Sequence, residues 1–189
     1  SNSGAVQLQN KEVFVSVFDN SATTVCFGAI KTTAKKEVKG WFTNFEVKGI
    51  TEAEKVEEIF ENVSIKIDVN SLDTKNQGRN AKLLAHFFGK TTSSETITGK
   101  VLSFDVENKS AVLELNFNDV KHPLTFSYDL KGDTLVMNSV LNLEDVNGME
   151  ALASINKACE ALHKGDDGIS KTWSEVNIYL STVLNMKKD

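Results

Sequence analysis

The sequence has few of the residues that mark several protein classes. It contains one arginine, Arg79, and its net charge is −5, so it has little basic surface with which to bind nucleic acids or an anionic membrane. One proline, Pro123, suits long continuous strands, because proline removes a hydrogen-bond donor from a sheet. No apolar run is long enough to cross a bilayer as a helix, so we expect no transmembrane segment.

Cysteine and histidine are also scarce. Cys26 and Cys159 lie far apart, without a C-x-x-C motif or a histidine at zinc-binding spacing. We predict two buried free thiols, with a disulfide as the alternative if the protein is exported. The three histidines, His86, His122 and His163, occupy separate segments without metal-ligand spacing. We therefore expect no metal site, and we predict that His163 is a protonated residue at a helix end.

The local motifs of the common enzyme classes are missing from the sequence. It contains no nucleophile elbow, phosphate-binding loop or dinucleotide fingerprint. A catalytic site assembled from distant residues stays open, because such a site has no local signature. We expect a protein that is not an enzyme and has no cofactor.

Phenylalanine, in contrast, is abundant. Eleven phenylalanines accompany only two tyrosines and two tryptophans. For any single ring, burial in an ordinary core is the simpler explanation. A second interpretation is that the rings line an apolar cavity, and the composition alone leaves both open.

Alternation of apolar and polar residues predicts most of the chain to be β-strand. The clearest case is Val63 to Val69, where valines and isoleucines alternate with Ser64, Lys66 and Asp68. Gly40 predicts a bend or bulge within its strand. The connections are short and turn-like, which favours antiparallel neighbours. The predicted strands are 13–18, 23–31, 38–47, 63–69, 97–106, 111–117, 124–130, 135–143 and 176–184.

Three helices interrupt the strands. Thr51 and Glu54 have the spacing of a capping box before a short helix. Leu83, Leu84, Phe87 and Phe88 have the spacing of one helical face, which predicts a helix that closes a barrel end. The longest predicted helix runs over 148–163.

These eight or nine strands and three helices predict a mostly β fold with a minor α part. We expect one domain over 1–189, a single antiparallel eight-stranded barrel of lipocalin type with short helices at its ends, and a polar tail over 1–10. Closure into a barrel removes the exposed strand edges that favour aggregation. A sandwich of two sheets is the architectural alternative.

Several stretches resemble the YceI-like family. Ser71-Leu72-Asp73-Thr74-Lys75-Asn76-Gln77-Gly78-Arg79, followed by the Phe87-Phe88 pair, is similar to the family's strand-to-helix motif. Lys39-Gly40-Trp41-Phe42 with Phe45, and Val120-Lys121-His122-Pro123-Leu124, resemble two further family patterns. Typical members carry a histidine in the early strand, where this chain has Gly28-Ala29-Ile30-Lys31. Residues 158–173 resemble an addition in exported or lipid-anchored members, so the chain is similar to a divergent branch.

The resemblance implies a small exported barrel that holds a long isoprenoid or similar amphiphile. We predict that Arg79 forms an ion pair with Asp73, with contact to a ligand headgroup as the alternative. Trp173, together with phenylalanines from several strands and one helix, is predicted to line the ligand site. The phenylalanines are Phe27, Phe42, Phe45, Phe87, Phe88, Phe104, Phe117 and Phe126.

The expected function is binding and carriage of a long-chain amphiphile, such as a polyisoprenoid, an isoprenoid quinone or a fatty-acid-like lipid. The expected location is the periplasm or cell envelope, with the export signal outside this sequence, and the expected state is a monomer or homodimer. One rival is a filled barrel that acts as a secreted interaction or stress-response module. The other is an enzyme that modifies a lipid in the same cavity.

Overall fold

The computed structural model describes residues 12–15 and 20–188, which form twelve β-strands and three α-helices. The predicted tail 1–10 and part of the predicted strand 13–18 lie outside these residues. The helices are α1 (Val56–Ile59), α2 (Gln77–His86) and α3 (Met149–Ala158). The strands are β1 (Glu12–Val15), β2 (Thr23–Lys31), β3 (Lys36–Phe42), β4 (Phe45–Lys48), β5 (Ser64–Asp68), β6 (Leu72–Asp73), β7 (Thr96–Asp105), β8 (Ser110–Phe117), β9 (Val120–Lys131), β10 (Thr134–Asn142), β11 (Thr172–Val183) and β12 (Asn185–Lys188).

Ten of the described strands form one antiparallel sheet that curls into a ring. Their order is β4-β5-β7-β8-β9-β10-β11-β2-β3-β6, and β1 pairs separately with β12. The sheet closes because β4 directly continues β3, while β6 follows β5 after one short turn. Both halves stay paired across the join, where Thr43 N–H donates to Ser71 O (3.3 Å) and Asp68 N–H donates to Asn44 O (3.0 Å). With each bent pair taken as one strand, the ring of described strands has eight, and the predicted antiparallel barrel is confirmed.

The strand boundaries differ from the predictions where the chain bends. The predicted strand 38–47 is wrong as one element, because it breaks at Thr43 and Asn44 into β3 and β4. The bulge predicted at Gly40 is also wrong, since β2 and β3 stay in register through the Phe27–Gly40 pair. Irregular register occurs instead in β7, between Val101 and Ser103, and at the start of β11, between Thr172 and Val176. The shift in β7 exposes Leu102 (48%), which its alternation had placed inside.

Two helix ends also differ from the sequence patterns. The capping box at Thr51 is wrong: Lys55 precedes α1 without a side-chain cap, and the Thr51 hydroxyl donates to Glu58 O (3.2 Å). The helix predicted over 148–163 ends at Ala158. By contrast, α2 begins with a true cap, since Asn76 Oδ1 accepts from the Arg79 N–H (2.9 Å).

The helices cover opposite ends of the barrel, as β8 shows. Near its first residues, Phe60 beyond α1 stacks on Phe104 at a centroid distance of 5.9 Å. Near its last residue, Phe117, the rings of Phe87 and Phe88 pack at 6.4 and 6.5 Å. α2 and α3 contact one another at this second end. The barrel interior therefore lies between an α1 end and an α2–α3 end.

Candidate functional site

The barrel contains a cavity of about 430 Å³. Its volume is within the range of small-molecule sites, roughly 300–1,000 Å³. Apolar side chains from strands all round the ring dominate the lining, among them Val25, Ile67, Leu124 and Leu180. The cavity is therefore suited to an apolar ligand. The few polar residues of its lining are described below.

Most of the predicted site residues lie on this cavity. Eight of the ten are part of its lining: Phe27, Phe42, Phe87, Phe88, Phe117, Phe126, Trp173 and Arg79. Their contact with a ligand stays a prediction. Phe45 and Phe104 are not in the lining. Phe45 is buried in the core beyond the strand break, while Phe104 is covered by Phe60 and by Tyr128, whose ring lies 5.4 Å away.

The aromatic wall is a continuous set of ring contacts. Phe27 lies 5.7 Å from Phe42, which lies 5.9 Å from Phe88, and Phe88 meets Phe87 edge-on at 5.0 Å. Gly40 makes room for this wall, because a Cβ at Gly40 would stand 2.5 Å from Phe27 Cζ. The glycine in β3 thus permits the close approach of a ring.

Arg79 is held at the cavity wall by Thr74, not by Asp73. The predicted Asp73–Arg79 ion pair is wrong, since Asp73 pairs with Lys75 (3.2 Å). The Arg79 guanidinium donates from Nε to Thr74 Oγ1 (3.0 Å) and from Nη2 to Thr74 O (2.7 Å). Thr74 is 2% exposed and its hydroxyl donates to Asn80 Oδ1 (2.6 Å). The guanidinium is therefore fixed in place while no carboxylate neutralises it within the described part of the chain.

Three further basic residues line the cavity: Lys31 at the end of β2, Lys82 on α2, and His163 in the turn after α3. Sequence reasoning missed this group, because its members come from three separate segments. The only local signal was the spacing of Arg79 and Lys82, one helical turn apart. We call Lys31, Arg79, Lys82 and His163 the basic mouth.

His163 is not the protonated helix-end residue that the sequence predicted. α3 ends five residues earlier, and burial lowers the pKa of His163, with Lys31 and Lys82 lowering it further. Its Nδ1 lies 2.6 Å from Thr172 Oγ1, and that hydroxyl donates to Asn156 Oδ1 (2.7 Å). The Thr172 proton is thus already used, so Nδ1–H is the donor to Thr172, and Nε2 is the nitrogen that can gain a proton.

The two cysteines also line the cavity. Both are free and buried, as predicted, and the disulfide alternative is wrong. Burial raises the pKa of the Cys26 thiol. Within the described residues, no group of three or more histidine, cysteine or acidic side chains is arranged to hold a metal ion.

The two tryptophans differ in position. Trp173 lines the cavity and donates from Nε1 to Thr32 O (2.7 Å), with the ammonium groups of Lys35 and Lys171 at 4.4 and 4.1 Å from its ring. Trp41 is outside the lining, with Lys75 Nζ 5.3 Å from its ring. Only Trp173 is placed to report directly on cavity occupancy.

None of the described helices is both long and apolar enough to cross a membrane.

A family model described as "YceI-like domain" matches residues 17–182. A search of curated proteins gives no match.

Solved structures share this fold at low sequence identity. A polyisoprenoid binding domain from Saccharophagus degradans, implicated in plant cell wall breakdown, is 13% identical with a TM-score of 0.59, over 93% of this chain and 98% of that chain. BcnA from Burkholderia cenocepacia is 14% identical with a TM-score of 0.58, over 88% of this chain and 98% of that chain. A YceI protein from Campylobacter jejuni is 17% identical with a TM-score of 0.54, over 85% of this chain and 91% of that chain.

Proposed function

Since the chain belongs to the YceI-like family, we propose that it binds and carries one long-chain amphiphile inside its barrel. The ligand class is a polyisoprenoid, an isoprenoid quinone or a fatty-acid-like lipid, held without chemical change. The proposed place of action is the periplasm or cell envelope, which fractionation of the source cells would test.

The observation that carries the proposal is the apolar cavity of about 430 Å³ inside the barrel. A filled barrel would leave no such space, because protein interiors normally pack without voids much larger than a water molecule. Burying an apolar chain here removes it from water, which contributes about 0.8 kcal/mol for each methylene.

Two further observations support the proposal. The Saccharophagus degradans neighbour is described as a polyisoprenoid binding domain. In this chain, Leu162 is part of the cavity wall and yet 63% exposed, so it forms an apolar lip between the interior and solvent. Such a lip gives an entering chain apolar contact before it is fully enclosed.

A chain-length series tests the proposal. Isoprenoid alcohols of increasing length are titrated into the protein while tryptophan fluorescence is recorded. We expect affinity to rise with each added unit and then to level off when the cavity is full. A response that is flat across the series, with no uptake of any alcohol, would contradict the proposal.

Matched variants make the test specific to the cavity. Trp173→Phe removes the reporter in the lining and is expected to abolish the signal, whereas Trp41→Phe keeps it. Ala29, which lines the cavity, and Ala85, which is exposed on α2, provide a second pair. Ala29→Trp fills the interior and is expected to block uptake, while Ala85→Trp leaves it intact.

A further inference from the structure

Lys31, Arg79 and Lys82 of the basic mouth concentrate positive charge on a protein whose net charge is −5, and His163 is the fourth member. The four residues come from β2, α2 and the turn after α3, and all of them line one cavity. They are half-buried, so solvent screens them less than it screens fully exposed side chains. Lys31 also contacts the turn that carries His163, since Lys31 Nζ donates to the backbone oxygen of the preceding residue, Leu162 (3.4 Å).

Acidic side chains do not balance this charge. Among the described residues, no carboxylate lies within 4.0 Å of Lys31, Arg79 or Lys82. Glu114 is the carboxylate in the lining, and it is 3.7 Å from Lys100. Partly buried cations without counter-ions are costly, and proteins normally pair them.

The pKa values of Lys31 and His163 also indicate that the basic side chains lie close to one another. Burial lowers the pKa of Lys31, and the positive charges of Lys36 and Arg79 lower it further. The pKa of His163 is lowered by burial and then by Lys31 and Lys82. The basic side chains therefore act on a shared region, where an anion would relieve their repulsion.

We propose that the amphiphile carried in the barrel has an anionic headgroup, a carboxylate or phosphate, which the basic mouth binds while the tail extends towards Phe126. This inference rests on the proposed lipid binding and adds the headgroup class. Arg79 is the main recognition residue, because Thr74 already orients its guanidinium and, among the described residues, none bonds to Nη1, which can donate to an acidic oxygen. Phe126 is 2% exposed and pairs with Ala111 near the far end of β8, so the tail points away from the charges.

The test compares farnesoic acid and farnesyl phosphate with farnesol and farnesylamine, which share one isoprenoid tail. We expect both acidic probes to bind roughly tenfold more tightly than farnesol, as one charge-assisted hydrogen bond would provide. Farnesylamine is expected to bind least tightly. The preference for acidic probes should shrink as sodium chloride is added.

Charge variants locate the effect. Lys82→Gln is expected to weaken binding of the acidic probes more than that of farnesol and so to reduce the acid-to-alcohol ratio several-fold, and Arg79→Gln to reduce it further. Lys90→Gln, an exposed residue outside the lining, removes the same charge and is expected to leave the ratio unchanged. Thermal melting checks that each variant is folded, and Lys82→Gln retains every hydrogen bond described for Arg79.

The outcomes separate this inference from the function on which it rests. Equal binding of farnesol and both acidic probes would overturn the anionic headgroup and leave lipid binding in place. An unchanged ratio in both mouth variants would also overturn it. Inorganic phosphate that binds as tightly as farnesyl phosphate would indicate a site for a free anion instead of a headgroup. Failure of all four tailed probes would overturn lipid binding itself.

Discussion

At the scale of single residues, the cavity depends on small contacts that set the shape of its wall. Phe27 occupies the space over Gly40, and its ring continues through Phe42 to Phe88. Arg79 depends in the same way on Thr74, which turns a flexible side chain into a fixed one. Neither contact follows from the identity of one residue, because each needs a partner from another strand or turn.

Gly40→Ala is expected to displace the Phe27 ring, since the new Cβ would stand 2.5 Å from Cζ and 2.7 Å from Cε1. We expect the free energy of unfolding to fall by about 1–3 kcal/mol, as for other overpacked sites. Urea denaturation measures this. Gly99→Ala is the control, because its nearest neighbour would be at 3.4 Å, an ordinary contact. Equal stability of the Gly40 variant and the parent would show that Phe27 does not need the space.

His163 is expected to make the protein less stable in acid. The pKa of His163 in the folded state lies below its ordinary value of 6.5, because of burial and the facing charges of Lys31 and Lys82. Its other polar neighbours, Thr172 on β11 and Asn156 on α3, are uncharged. As the pH falls through about 6.5 the unfolded chain gains a proton first, so stability falls with pH.

The measurement is the urea midpoint at about pH 7.5 and about pH 5.5, on either side of the ordinary histidine pKa. We expect the His163→Gln variant to lose less stability than the parent does when the pH falls from the higher value to the lower one. His86→Gln removes an exposed histidine outside the cavity and serves as control. A parent and His163 variant with the same pH dependence would contradict the account.

At the scale of elements, α2 connects the barrel wall to its cover. The face that carries Leu83, Leu84, Phe87 and Phe88 was readable in the sequence, whereas the cap at Asn76 was not predicted. The structure ends the helix at His86, so the two phenylalanines form the following turn and reach Phe117 from there. The pattern thus predicted what packs inside, although not where the helix ends.

Phe87→Ala with Phe88→Ala is expected to destabilise the protein by several kcal/mol. Both rings are buried, at 8% and 6% exposure, and each such truncation costs roughly 3–5 kcal/mol. Thermal or urea unfolding measures the loss, and His86→Ala, exposed on the same helix, is the control. If the double variant unfolds like the parent, the α2 end does not depend on these rings.

Other elements show why sequence patterns fall short. The alternation in 38–47 is real, but Thr43 and Asn44 break it where the ring must close, and closure depends on pairing with residues 64–73. Thr51 and Glu54 have the letters of a capping box, yet the Thr51 hydroxyl bonds to Glu58 O instead. Patterns within one segment predict its period; pairing between segments decides its bends and ends.

At the scale of the whole molecule, the fold and the apolar wall were largely predictable, whereas the basic mouth was not. Eight of ten predicted site residues lie on the cavity, because inward-facing phenylalanines of a closed ring must share its interior. Lys31, Lys82 and His163 come together only when β2, α2 and the turn after α3 meet at one barrel end. A net acidic composition conceals such a cluster, since the total charge says nothing about where charges lie.

The most direct test of the central claim, that the barrel carries one amphiphile, is native mass spectrometry of the protein purified from its source cells. We expect the 20.8 kDa chain to appear with the added mass of one lipid and to release it on collisional activation. Ala29→Trp, expressed in the same cells, should appear as the bare chain. Parent protein that shows only the bare mass under the gentlest conditions, and yields no lipid on organic extraction, would contradict the account.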